Sequence, residues 1–147
     1  MSSANTMTMN TAVFFLLGVA ASTCMAQVPQ CPGELSANSI QVRPAPGWTG
    51  VVTTRLLLSG AGIVNGRPDV EPRAELRGDT RQISKQVTQT AYPGLAGTEK
   101  WLICAYGQGG ELEQAYRLPA AADHCLIRVA RNRNKDITIS ISCTTIQ

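Results

Sequence analysis

The sequence predicts a mainly β protein: a single antiparallel sheet or a small sandwich or barrel of about 6–8 strands, stapled by two disulfides. Two observations support this fold class. Residues 125–129 and 137–143 each alternate apolar with polar or small side chains, which is the period of a half-buried strand. After the predicted leader the chain keeps an even number of cysteines, which in an exported protein indicates disulfides. These four are Cys31, Cys104, Cys125 and Cys143.

The two alternating segments predict their own pairing. Residues 131–136 between them are polar and turn-prone, and they favour a hairpin folded about Asn134. That fold sets three pairs opposite each other, namely Val129 with Ile139, Ile127 with Ile141, and Cys125 with Cys143. The apolar faces and the cysteines therefore agree on one register. This register predicts a disulfide between Cys125 and Cys143, and it leaves Cys31 to pair with Cys104.

Residues 1–26 look like a cleavable signal peptide. Residues 12–21 form a short apolar run, and small residues lead from there to Ala26, where we expect cleavage. The run is shorter than the roughly 20 residues that span a bilayer, so no transmembrane segment is expected after cleavage. A lipid anchor on Cys24 is an alternative, but the residues before it match the lipoprotein motif poorly. We expect one disulfide-stapled domain over residues 27–147, periplasmic or secreted.

The charge balance limits the classes of partner. The chain has 13 basic and 10 acidic residues and a formal net charge of +3, too mild to indicate nucleic-acid binding. The cysteine spacings and the single histidine do not fit a zinc site, and no motif indicates a cofactor. Arg128, Arg131, Arg133 and Lys135 cluster at the tip of the terminal hairpin. They are candidate binding residues for an anionic partner, a periplasmic protein or an envelope polymer; otherwise they keep the tip soluble.

Proline and glycine divide the amino-terminal half of the mature chain. We expect residues 27–38 to form an extended arm tied down by Cys31, and residues 39–43 to form a short strand. Trp48, beyond a proline and glycine break, is expected to plug one end of the core. Residues 50–59 pass from β-branched side chains into three leucines, which predicts a central strand.

A glycine-containing stretch follows that strand. Residues 60–62 are expected to turn the chain, so that Ile63 and Val64 begin a return. The return is expected to end at residues 65–68, where Asn-Gly and a proline signal a turn. Two prolines make residues 69–73 an improbable part of a strand ladder.

The later segments differ in clarity. Residues 82–92 alternate weakly and fit either a strand exposed on one side or an irregular loop. Residues 100–106 are the clearest single strand, and both of its faces look covered. Leu102, Cys104 and Tyr106 share one of those faces. The glycine-rich residues 107–110 read as a turn, because the helix start that a phosphate loop needs is missing.

Three short patterns invite a functional interpretation. His124 beside Cys125 suggests a dyad, but strand neighbours face opposite sides and a disulfide-bonded cysteine is no nucleophile. Arg-Gly-Asp at residues 77–79 spells an integrin-type tripeptide, which the turn chemistry of Gly-Asp explains equally well. Glu111 and Glu113 share a strand face and would suit an acid and base pair, although solvent-facing carboxylates near a hairpin end are common. We expect no enzymatic activity.

A set of spaced residues runs through almost all of the mature chain. These residues are Cys31-Pro32, Trp48, Gly66-x-Pro68, Ala74-x-Leu76, Trp101-x-x-Cys104-x-Tyr106, Leu118-Pro119, Cys125 and Cys143. The pattern resembles a family of small uncharacterised exported proteins of Gram-negative bacteria, usually labelled hypothetical periplasmic proteins. The resemblance implies export and a single-domain β fold, and it brings no activity or catalytic residues. In size and cysteine use the chain is also loosely similar to periplasmic lysozyme inhibitors and to immunity proteins against cell-wall-degrading toxins.

Three functions are compatible with the sequence. The leading hypothesis is a binding or inhibitor-like protein without catalytic activity, which protects against or inhibits a cell-wall-degrading enzyme. The alternative is a small hydrolase that acts on envelope polysaccharide through Glu111 and another carboxylate. The third is a structural component of the envelope without a discrete site.

Overall fold

A computed structural model describes residues 25–26, 28–134 and 136–145. Most of the predicted leader and Lys135 of the basic cluster lie outside the described residues. The described strands are β1 Met25–Ala26, β2 Glu34–Leu35, β3 Leu56–Asn65, β4 Ala74–Glu75, β5 Asp79–Ser84, β6 Val87–Tyr92, β7 Lys100–Tyr106, β8 Leu112–Arg117, β9 Ala122–Arg131 and β10 Ile137–Thr145. One 3-10 turn, Ala37–Ser39, lies between β2 and β3. No helix in this part of the chain is long and apolar enough to cross a membrane.

The strands form two antiparallel sheets that enclose one core. The first sheet has the order β1-β10-β9-β6-β5, and the second has the order β2-β3-β7-β8 with β4 also paired to β3. Buried side chains of both sheets belong to one apolar cluster, for example Ile63 and Leu102 from the second sheet and Ile127 and Ile141 from the first. The predicted mainly β class is confirmed, and the two sheets are not closed as a barrel.

The terminal hairpin has the predicted register. In β9 and β10, Val129 lies opposite Ile139, Ile127 opposite Ile141, and Cys125 opposite Cys143. Both predicted disulfides are present, Cys125–Cys143 inside the hairpin and Cys31–Cys104 between the amino-terminal arm and β7. The register was predictable because a slip of one residue would turn every apolar side chain of β10 toward solvent.

The glycines of β3 do not turn the chain as predicted. β3 runs without reversal from Leu56 to Asn65, and Gly60 and Gly62 pair with Ala105 and Ile103 of β7. The ladder shifts by one residue at Ser59, so a bulge takes the place of the expected turn. Glycine inside a strand often marks a bulge or a close approach rather than a reversal, which explains the error.

The segment before β3 also departs from the prediction. Residues 39–43 form no strand, because Ala37–Ser39 is a 3-10 turn in which Ser39 bonds the carbonyl of Ser36 through both its amide and its hydroxyl. The expected strand at residues 50–59 begins only at Leu56. Trp48 does not plug the core, since 77% of its surface is exposed.

The two alternatives for residues 82–92 are decided in favour of strands. β5 and β6 form a hairpin that turns at Lys85 and Gln86, and β6 continues the first sheet by pairing with β9. β7 is covered on both faces as predicted, since Leu102 and Ile103 are both buried although they point in opposite directions. The Asn-Gly turn after β3 is confirmed by Gly66, whose φ is 79°.

Candidate functional site

The predicted basic residues lie on and beside the tip of the terminal hairpin. Arg128 projects from β9 on the side opposite the buried Ile127, and Arg131 and Arg133 follow at the end of the strand and in the turn; all three are exposed. Asn132 shapes this tip. Its amide donates to the backbone carbonyl of Asp136, its side-chain oxygen accepts from the Asp136 amide at 2.9 Å, and its side-chain nitrogen donates to the Asp136 carboxylate.

A fourth arginine joins this group through the sheet. One row of cross-strand partners runs Arg81, Gln89, Arg128, Ser140 over β5, β6, β9 and β10. Cross-strand partners share a face, so Arg81 and Arg128 project from the same side about 10 Å apart, two strand spacings. Arg131, three positions after Arg128 on β9, points to the other face at the end of the sheet. We call Arg81 and Arg128, together with Arg131 and Arg133 at the hairpin tip, the basic surface. Sequence reasoning missed Arg81 because its place depends on the pairing of β6 with β9. No ion pair joins these arginines to a described carboxylate.

Residues 40–55, which we call the Trp48 loop, form a second candidate surface. Neither helix nor strand interrupts these 16 residues between the 3-10 turn and β3. The Trp48 amide donates to the Ala45 carbonyl at 3.0 Å across Pro46 and Gly47. With proline at the second position and Gly47 at a φ of 80° at the third, this is a type II turn. The two legs of the loop touch, since a side-chain carbon added at Gly50 would lie 2.7 Å from Val42.

Three large apolar side chains of this loop are exposed. The exposed fraction of the surface is 77% for Trp48, 71% for Val51 and 49% for Val42. A turn that holds Trp48 outward presents a large rigid apolar group to solvent, which is the kind of anchor that protein interfaces use. The sequence signal for the turn was present in Pro46-Gly47, but it did not indicate that the Trp48 side chain would be exposed.

A cleft of about 360 Å³ lies beside β3. Its walls include Gly60, Gly62, Leu76, Tyr92 and Ile103. A side-chain carbon added at Gly62 would meet no atom within 4 Å, so the strand leaves this space open.

Arg73 and two carboxylates stand at the rim of this cleft. The guanidinium of Arg73 binds both carboxylate oxygens of Glu113 and, at 3.4 Å, one oxygen of Glu75. The hydrogen bonds to Glu113, and less so those to Glu75, raise the pKa of Arg73 above its ordinary value. Glu113 is thus an ion-pair partner in this structure.

The predicted pair of Glu111 and Glu113 is not brought together at one cleft. Glu113 borders the cleft beside β3, whereas Glu111 borders a different one with Leu57 and Gly107, and its carboxylate folds over Gly107. One carboxylate is bound by Arg73 and the other faces a separate surface. The arrangement provides no paired acid and base.

The two other short patterns have structural explanations. Cys125 is fully buried in its disulfide, so it has no thiol to pair with His124. In the Arg-Gly-Asp tripeptide, Gly78 passes close to β6: an added side-chain carbon would lie 2.7 Å from the Ala91 carbonyl oxygen. Asp79 begins β5 opposite Ala91. Close packing therefore accounts for the glycine at that position.

Lys100 is a buried cation that sequence reasoning did not single out. Only 1% of its surface is exposed, and its ammonium donates to the carbonyls of Leu95, Thr98 and Ala120. Burial lowers its pKa from the ordinary value, an effect that the charge of Asp123 partly offsets. Three carbonyl acceptors fill the donor capacity of an ammonium group, so Lys100 ties two loops together.

Among the described residues, no group of three or more His, Cys, Asp or Glu side chains is placed to hold a metal ion. Comparison with protein-family models, with curated proteins and with solved structures finds no match to this chain.

Proposed function

We propose that this protein is an exported binding protein, inhibitor-like and without catalytic activity, that engages another protein through the Trp48 loop. The single observation that carries the proposal is the exposure of Trp48, 77% of whose surface faces solvent at the end of a type II turn. Unstructured connections of more than about 12–15 residues are uncommon in compact domains and are often functional. A cell-wall-degrading enzyme is the partner class that we favour.

The chemistry of the remaining candidates supports a binding role over the hydrolase alternative. Glu111 and Glu113, the pair that the sequence suggested, border separate clefts, and Glu113 is bound by Arg73. The basic surface gives a second place of contact, suited to an acidic partner. Export through a signal peptide over residues 1–26, and membership of the exported family that the sequence resembles, remain part of this proposal.

The test is capture from a periplasmic extract followed by reconstitution with the purified partner. We expect Trp48→Ser to lower the affinity for that partner at least tenfold, because truncating a central aromatic anchor commonly costs 2 kcal/mol or more, about thirtyfold. Val70→Ser is the matched control: Val70 is also an exposed apolar residue, outside the Trp48 loop. Its affinity should stay within about twofold of the original.

Two results would contradict the proposal. The first is the absence of any partner at micromolar concentration, or a partner whose affinity is the same for Trp48→Ser and Val70→Ser. The second is release of fragments from peptidoglycan that disappears in Glu111→Gln or Glu113→Gln, which would establish the hydrolase alternative. A protein with neither property would fit a structural envelope component.

A further inference from the structure

One edge of β3 is paired at both ends and open in the middle. β2 pairs with β3 at Leu56 and Leu57, and β4 pairs with the same strand at Val64 and Asn65. Single backbone bonds extend these pairings to Leu58, whose amide donates to Gly33 at 2.9 Å, and to Ile63, whose carbonyl accepts from Leu76 at 3.0 Å. Between them, residues 59–62 have no strand partner on this side in the part of the chain that the structure describes.

The hydrogen-bonding direction of this edge follows from the alternation of a strand. The Ile63 carbonyl faces Leu76, so Ile63 directs its amide and carbonyl toward the open side. Residues two apart direct their backbone groups alike, so Ala61 does the same, whereas Gly60 and Gly62 face β7. Ala61 thus presents an amide and a carbonyl that no neighbouring strand takes up. Ala61 as a whole is partly exposed.

The cleft described above opens on this stretch of β3, and Ala61 borders it. Its volume of about 360 Å³ falls within the range of small-ligand sites. The gap between the bonds at Leu58 and Ile63 is about four residues, or about 13 Å of extended chain. Elsewhere a side chain covers a strand edge. The Gln30 side chain donates to the carbonyl of Ile141 on β10 and accepts from its amide, both at 2.9 Å, as a neighbouring strand would.

We propose that the open edge of β3 binds an extended peptide segment, which pairs with Ala61 as an added antiparallel strand between the end of β4 and the start of β2. Both flanking strands already run antiparallel to β3, so the added segment continues their line. The residue opposite Ala61 shares its inward face and should be apolar. The residues opposite Gly60 and Gly62 point outward, where β3 carries no side chain and where the Arg73 and Glu113 pair borders the space. This site is separate from the Trp48 loop.

The probe is the capped tripeptide acetyl-Thr-Val-Thr-amide, which fits opposite residues 60–62 with its valine opposite Ala61 and leaves Ile63 to its bond with Leu76. Amide exchange in the free protein should be fast at Ala61 and slow at Gly60 and Gly62, whose amides bond to β7. The peptide should shift the amide resonance of Ala61 and slow its exchange. Trp48→Ser should leave peptide binding unchanged, so this proposal and the proposed function fail separately.

Two methylated peptides give a matched comparison without altering the protein. A methyl group on the valine nitrogen removes the donor that faces β3 and should weaken binding about tenfold or more. A methyl group on the nitrogen of the preceding threonine removes a donor that faces away, and affinity should change less than threefold. Ala61→Pro removes the amide on the protein side and should act like the first methylation, with circular dichroism showing whether the variant is folded.

Three results would overturn the proposal. One is equal affinity for the two methylated peptides, and another is no shift at Ala61 with the peptide at millimolar concentration. The third is an Ala61 amide that exchanges as slowly as that of Gly62 in the free protein. If that protection appears only at high protein concentration, together with a dimer in light scattering, a second copy of this chain occupies the edge instead.

Discussion

Tyr106 illustrates how one residue can be well packed and still costly. Its ring is fully buried at the end of β7, and its hydroxyl is a buried side-chain oxygen with no hydrogen-bond partner among the described residues. Burial of an unpaired hydroxyl costs about 1–3 kcal/mol by the measure of protein substitutions. The aromatic ring therefore contributes to the core, while the polar atom works against it.

Tyr106→Phe should consequently stabilise the protein. We expect the free energy of unfolding to rise by about 1 kcal/mol in urea denaturation, because the ring is kept and the unpaired oxygen is removed. Tyr116→Phe is the control, since Tyr116 is exposed and its hydroxyl meets solvent; that variant should unfold like the original. A loss of more than about 0.5 kcal/mol in Tyr106→Phe, which is roughly what one hydrogen bond contributes, would mean that the Tyr106 hydroxyl has a hydrogen-bond partner.

The same substitution has a pH signature. Burial raises the pKa of Tyr106 above its ordinary value, so the folded state holds the phenol proton to higher pH than the unfolded state does. The stability linked to this proton is complete below the unfolded value, about 10, and is lost as pH rises through the folded one. Tyr106→Phe lacks this loss, so its stability relative to the original should increase further above about pH 10. Tyr92, whose pKa burial also raises, is present in both proteins.

At the residue scale, the sequence predicted which cysteines bond to each other better than it predicted which side chains are buried or exposed. Four cysteines were assigned to two disulfides correctly, because hairpin register determined one pair. The outward projection of Trp48 and the burial of Lys100 were not predictable. The burial of Lys100 depends on a contact between segments distant in sequence, since the Ala120 carbonyl accepts from its ammonium. An aromatic residue is usually buried and a lysine usually exposed, and both rules fail here.

At the element scale, local pattern succeeded where alternation was regular. β9 and β10 alternate cleanly and were predicted with their register, and β7 was predicted with its bounds. β3 was divided by its glycines into two expected strands, although it is one. Glycine carries no information about which face of a strand is buried. The pairing with β7 that keeps β3 straight joins residues about 40 positions apart in sequence, as in Gly62 opposite Ile103.

The terminal hairpin supports a prediction about electrostatics. Replacing Arg131, Arg133 and Lys135 together by serine should slow association with an acidic partner several-fold, because Arg131 and Arg133 are exposed at the tip, Lys135 follows them in the sequence, and such charges steer approach. Poly-L-glutamate serves as a defined acidic ligand. Thermal stability should barely change, since exposed charges contribute little to folding. For the original protein the rate should fall as salt shortens the screening length, about 8 Å at physiological ionic strength.

A second triple variant tests whether association depends on the position of these charges or only on their number. Arg67, Arg77 and Arg117 are exposed and lie outside both the hairpin and the Trp48 loop. Their joint replacement by serine changes the net charge by the same amount. That variant should associate nearly as fast as the original. Equal slowing in both triple variants would mean that net charge alone governs association, and the tip would then be a solubility device.

At the scale of the whole molecule, the division of the strands into two sheets could not be predicted from local sequence patterns. β6 joins the first sheet by pairing with β9, and β3 joins the second by pairing with β7; both contacts are long-range. Neither disulfide joins a described strand of one sheet to a strand of the other, so apolar packing holds the sheets together. This is why a single sheet, a sandwich and a barrel were all compatible with the sequence.

The two disulfides close separate parts of the chain, and they differ in access. The Cys31–Cys104 link spans 73 residues and the Cys125–Cys143 link spans 18, which in the chain-entropy description correspond to about 4.5 and about 3 kcal/mol. Because the loops do not overlap in sequence, their contributions add to a large part of the 5–15 kcal/mol typical of a domain. Cys104 borders a surface cleft with Pro29 and Pro32, whereas Cys125 and Cys143 are sealed in the core.

Stepwise reduction should therefore have a fixed order. With low dithiothreitol, alkylation and peptide mass mapping should find Cys31 and Cys104 modified first, because exchange requires access to a sulfur atom. Loss of this link should lower the unfolding temperature, and loss of both should leave the protein largely unfolded at 37 °C by circular dichroism. The same mapping in denaturant controls for intrinsic reactivity, since access is then equal and the preference for Cys31 and Cys104 should vanish. Modification of Cys125 and Cys143 first under native conditions would mean that the hairpin opens before the amino-terminal arm, and that the core around β9 and β10 is the weaker part of the fold.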